Sequence, residues 1–158
     1  MTSQKIKVVP FIIGGGSGGD FGELFLRSLS NQNIHFHRVT RLWKLLALCL
    51  LSPIQIVDFH WPEYSLGTKS RWRVLAFIRY LLSFGVITLL RWKGVRFCWT
   101  AHNHEPHENP YPCLNDWGFR ILAHRMDAGI VMSQWQKKEL IRKFRFQKKE
   151  ARVHIIPL

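Results

Sequence analysis

The chain has 158 residues, with 23 Lys plus Arg against 10 Asp plus Glu and a formal net charge of +13. Hydrophobic residues make up 47%, which excludes the sparse, charged composition of a disordered tail and fits one domain, residues 1–158, with a core of its own. No stretch reaches the ~18 uncharged apolar residues of a membrane-spanning helix, and three cysteines without a CxxC pair argue against a disulfide framework.

In chain order, Lys5 to Ile13 is rich in β-branched residues and predicts a strand that stops at a glycine run, Gly14 to Gly19. Its break at Pro10 and the lack of a cleavage site favour a first strand over a signal peptide. Asp20 is placed to cap a helix over Phe21 to Leu29. Ile34 to Val39 reads as a short strand, and Leu42 to Leu51 as an apolar helix closed by Ser52-Pro53. Gln55 to His60 is a strand of buried type that runs into Trp61-Pro62-Glu63.

Ser70 to Arg91 predicts a long helix, and Val95 to Thr100 the next strand. A polar, proline-rich loop follows from Ala101 to Pro112. Leu114 to Arg125 is a helix, Ala128 to Met132 a strand, and Ser133 a cap for a helix over Gln134 to Phe144. Arg152 to Pro157 is a last strand. Short apolar strands alternating with helices predict an α/β fold, a Rossmann-like parallel sheet with helices on both faces. Such sheets bind ligands beyond the carboxyl ends of their strands.

The charge is concentrated. Lys69 to Arg96 holds seven basic residues and no acid, and Gln134 to Arg152 holds eight basic residues and two acids, so these two segments carry the whole excess. They fit anionic contact surfaces and equally two solvated helix faces.

Four loops at strand ends are candidates for chemistry. The residues Gly14, Gly15, Gly16, Ser17, Gly18 and Gly19 allow close backbone approach to a phosphate or other oxyanion, or a plain strand–helix turn. The spacing is not that of a Walker loop, and a ribose-binding acid is missing about 20 residues on, so a nicotinamide domain is weakly supported. His60, Trp61 and Glu63 set an indole beside a carboxylate, a pair that suits a sugar or simple packing. The segment Thr100 to Glu108 holds His102, Asn103, His104, His107 and Glu108. His102 with His104, or His104 with Glu108, could ligate zinc, but without HExxH spacing a hydrogen bond to phosphate or sugar hydroxyl is the better reading, and no metal is expected. The fourth is Ser133 with its neighbours.

Together, VDFHWPE, RWKGVRFCWTAHNHEPHE, RMDAGIVMSQWQKKEL and VHIIP resemble the N-terminal lobe of bacterial GT-B glycosyltransferases, glycosyltransferase family 4 above all. The resemblance implies an acceptor-side lobe facing a cleft, with the glycine-rich loop Gly14 to Gly19 on that cleft and His102 near the transferred sugar and its phosphates. It implies a nucleotide-sugar donor, a lipid-linked or saccharide acceptor, no bound cofactor or metal, and work at the cytoplasmic side of the plasma membrane, with an anionic membrane surface as a partner. The family's donor lobe and its E-x7-E motif do not follow here, so a truncated or split enzyme, inactive without a separate donor-lobe chain, is expected. The competing expectation is a basic peripheral membrane or nucleic-acid-binding protein without enzymatic activity; no helix-turn-helix, RRM or KH signature supports nucleic acid as a partner.

Overall fold

The protein is described from a computed structural model, in which residues 6–11, 34–36, 39–60, 72–101, 110–144 and 152–156 are described. The first strands are β1 (Ile6–Phe11) and β2 (Ile34–Phe36), followed by helix α1 (Leu42–Leu51) and β3 (Ile56–Phe59). Then come α2 (Arg73–Trp92), β4 (Arg96–Thr100), α3 (Pro112–Arg125), β5 (Ala128–Val131), α4 (Gln134–Phe144) and β6 (Val153–Ile155). The boundaries lie within a few residues of the sequence reading, and those of α1 and α4 coincide with it.

The six strands form one parallel sheet in the order β2-β1-β3-β4-β5-β6. The fold is Rossmann-like α/β. From β1 the chain goes outward to β2, then returns across β1 to β3 and steps on to β6. Right-handed crossovers place the connections after β2, β3, β4 and β5 on one face. Packing agrees. Consecutive helices α1 to α4 touch in turn, and Trp99 of β4 stacks on Phe119 of α3 and meets Phe144 of α4. The helix expected over Phe21 to Leu29, and with it the expectation of helices on the second face, lies outside the described residues.

The core lies between the sheet and this helix layer. Val9, Val57, Phe59, Phe97, Trp99 and Val131 supply one side, and Leu45, Tyr80, Ile87, Leu122 and Leu140 the other. In α2 the buried residues Ala76, Tyr80, Ser83, Phe84, Ile87 and Leu90 recur every three or four positions and make one face. The helix ends at Gly94, whose φ of +85° is a left-handed conformation. Gly94 N–H donates to Arg91 O and Val95 N–H to Leu90 O, the paired bonds of a Schellman ending.

One expectation is corrected here. By length and composition, α2 is apolar enough to cross a membrane. Its cations are too few to dilute the apolar residues between them. A third of that stretch is nevertheless buried in the protein.

Candidate functional site at the carboxyl edge of the sheet

The strand order reverses between β1 and β3, the place where an open α/β sheet forms its ligand crevice. Register puts Phe11, Phe59 and Trp99 at one level across β1, β3 and β4. Just beyond it come the segments that the sequence marks. The residues Gly14, Gly15, Gly16, Ser17, Gly18 and Gly19 lie outside the described residues, as do Trp61, Glu63, His102, Asn103, His107 and Glu108. His60 is described, and it is buried.

His60 belongs to a polar cluster that the sequence reading missed. Asp58 and His60 point to the sheet face away from the helix layer, as do Cys98 and Thr100, because side chains alternate along a strand. Asp58 is paired in register with Cys98. Thr100 Oγ1 donates to Asp58 at 3.0 Å from Oδ1 and 3.1 Å from Oδ2. His60 Nε2 lies 2.8 Å from Asp58 Oδ2. Asp58, His60 and Thr100 are all buried, and a buried carboxylate persists only where such partners hold it. Burial, and then the Asp58 charge, push the Cys98 thiol far above its ordinary range. The signal was available: an acid inside the apolar strand QIVDFH is unusual enough to demand a partner. The described imidazole faces Asp58.

The helices that follow β3 and β4 start at this same edge. Neither α2 nor α3 has a side-chain hydrogen bond from its N-cap residue or an acid in its first turn, so no acid of the first turn offsets the partial positive charge of either helix start. By contrast, Ser133 caps α4 as the sequence predicts. Gln136 N–H donates to Ser133 Oγ at 3.1 Å, and Met132 N–H donates to Gln136 Oε1 at 2.7 Å. Between the starts of α2 and α3 lies an open groove lined by Arg73, Val74, Phe77, Cys113, Leu114 and Trp117. Its walls are apolar, with one guanidinium at the rim. Phe77 and Trp117 pack with ring centroids 5.8 Å apart.

Part of the first basic segment is structural. Arg91 Nη1 and Nη2 donate to Asp127 Oδ2 and Oδ1 at 3.0 and 3.3 Å, and Phe97 N–H donates to Asp127 Oδ2 at 2.9 Å. Lys93 Nζ donates to Cys49 O and Leu50 O at the end of α1. Arg73 and Arg79 point outward. Among the described residues, no three His, Cys, Asp or Glu side chains come together as a metal site.

No curated protein matches this sequence closely enough to count as a relative. A family model does match, over residues 74–158, from the second residue of α2 through β6. That stretch is more than half of the chain and includes His102 and every lining residue of the groove except Arg73. The match covers the steps from α2 onward, and the reversal between β1 and β3 lies before it. A glycosyltransferase role, with a nucleotide-sugar donor and an acceptor as the general substrates, follows from the match, and the chain belongs to Glycosyltransferase Family 4.

Proposed function

We propose that this chain is the acceptor-side lobe of a GT-B glycosyltransferase that builds a glycolipid or polysaccharide precursor. The observation that carries the reading is the groove between the starts of α2 and α3. It lies at the carboxyl edge, its apolar walls fall inside the family match, and Arg73 stands one residue before that match. Apolar walls hold a lipid or the C–H face of a sugar, and a guanidinium pairs with phosphate in a fork of hydrogen bonds. An acceptor carried on a lipid phosphate has both parts.

In this reading, Gly14 to Gly19 bring backbone N–H groups to the cleft, and His102 donates to the phosphate or sugar oxygen where negative charge develops. His60 and Asp58 position the ends of β3 and β4 around it. Trp61, Glu63, Asn103, His107 and Glu108 contact acceptor hydroxyls. The donor is held by a second lobe, on the same polypeptide or on another. Transfer needs both walls, because donor and acceptor must be held in register and water kept out.

The test is transfer of radiolabelled sugar from nucleotide-sugars to extracted membrane lipids. The 158 residues alone should give no product, and addition of a donor lobe should restore it. Transfer by these residues alone would refute the reading. An unchanged rate after His102→Ala in the restored system would remove His102 from its role.

A further inference from the structure

We infer, on the acceptor-side reading, that the acceptor is an anionic saccharide chain of several units, held along the carboxyl rim of the helix layer from the start of α1 to the start of α4.

The exposed tryptophans are unevenly placed. Among the described residues they are Trp43, Trp72, Trp92, Trp117 and Trp135. Each helix follows a parallel strand and runs back along it, so all four helices start at the carboxyl edge. Trp43 is the second residue of α1, Trp72 the N-cap of α2 and Trp135 the second residue of α4. Their exposures are 60%, 70% and 65%. Trp117 lines the groove between α2 and α3. Tyr111, the N-cap of α3, lines a smaller depression beside it that shares Arg73, Cys113 and Leu114 with the groove. Only Trp92, at the far end of α2, stands at the opposite edge.

The rings form a row. Consecutive helices touch, and packed helices lie about 8–10 Å apart, so four helix starts span on the order of 25 Å. Helical side chains lean toward the N-terminus of their helix, which carries Trp43 and Trp135 toward the rim. An aromatic face packs on the C–H face of a sugar ring while the hydroxyls stay in water. A row of this length fits a chain of sugars rather than one. Single-stranded nucleic acid instead stacks successive bases on its aromatic side chains, which rings a helix apart do not serve.

Charge completes the description of the occupant. Arg41, Lys44, Arg73 and Lys138 are exposed beside the rings, and Lys44 Nζ stands 5.5 Å from the centre of the Trp43 ring. No acid lies in the first turn of any of the four helices. Guanidinium and ammonium groups pair with carboxylate and phosphate, so the saccharide carries such substituents. The row is separate from the aliphatic strip that α2 exposes along its outer side, Ile78, Leu81, Leu82 and Leu89, which no charge interrupts.

The experiment titrates the purified chain with alginate oligosaccharides of increasing length, read by tryptophan fluorescence and calorimetry. Dextran oligosaccharides are the neutral probe and oligothymidylate the nucleic-acid probe. Affinity for alginate should rise with length and exceed that for dextran of equal length. Trp43→Ala and Trp135→Ala should each weaken binding of the longest oligomer about tenfold and flatten the dependence on length. Trp135→Tyr, which keeps a ring, should retain most of the affinity. Circular dichroism should be unchanged, because these side chains lie outside the core. Binding by both alanine variants equal to that of the parent overturns the inference, since charge alone then accounts for it. Affinity independent of length, dextran bound as tightly as alginate, or oligothymidylate bound more tightly through the same rings overturns it too. Sugar transfer in the restored system without alginate binding refutes the rim and leaves the acceptor-side reading intact. Ring-dependent alginate binding without transfer refutes that reading and leaves the rim as a saccharide site.

Discussion

The ring of Tyr80 fills the space that a side chain at Gly118 would occupy. The α2–α3 contact is therefore set at one backbone position, and the groove at the starts of these helices inherits that spacing. Phe77 and Phe84 on either side of Tyr80 both meet Trp117, next to Gly118. Gly118→Ala should force the helices apart and cost about 1–3 kcal/mol, the usual penalty for overpacking, seen as a lower urea midpoint. A midpoint equal to that of the parent would show that the Tyr80 ring moves without cost.

The Asp58 cluster predicts a sharp effect from a nearly isosteric change. Thr100→Val removes the hydroxyl that donates to a buried carboxylate. Hydrogen bonds to charged groups contribute about 1.5–3 kcal/mol, and the loss should appear in thermal unfolding of the variant. Thr100→Ser, which keeps the donor, should recover most of it.

Gly94 tests the helix ending alone. Its φ of +85° disfavours any side chain, yet a Cβ added at this position would meet no other atom within 4 Å. Gly94→Ala should therefore cost about 1 kcal/mol from backbone conformation alone, and Gly94→Asn less. Chemical denaturation of the two variants separates them.

The thiols differ in reactivity. Cys113 is exposed and Cys49 buried. Burial pushes the Cys49 thiol from 9 to about 11, and Lys93 offsets only part of this; Cys98 is pushed up further. Thiolate is the reactive form. At pH 8, alkylation of the folded chain should modify Cys113 and spare the other two, whereas the unfolded chain should react at all three. Because the folded state holds the Cys49 proton more tightly, its contribution to stability is present below pH 9 and is lost as pH rises toward about 11, and that of Cys98 persists to higher pH.

What the sequence revealed follows from the range of the interactions involved. Strands and helices from Leu42 onward were legible because their apolar periods are local, and Ser133 because a cap acts within four residues. The pairing order was not written in any one segment. That β1 lies between β2 and β3 depends on contacts between distant parts of the chain. The Asp58–Thr100 bond joins residues on different strands, 42 positions apart, so Asp58 signalled the need for a partner while nothing local pointed to Thr100. Arg91 and Lys93 read as surface charge because their partners, Asp127 and the last carbonyls of α1, lie on other elements. Of the marked strand-end residues, His60 and Ser133 are described, and His60 is buried beside Asp58.

The uncharged outer side of α2 also bears on how the chain behaves in water. Two copies meeting on that strip would bury it, so in dilute buffer the chain is held apart mainly by its net charge of +13. That repulsion reaches about 10 Å in 0.1 M salt and about 3 Å in 1 M salt, while apolar attraction is not screened. Solubility should therefore fall as salt is added, the reverse of ordinary salting-in, and mild detergent should restore it by covering the strip.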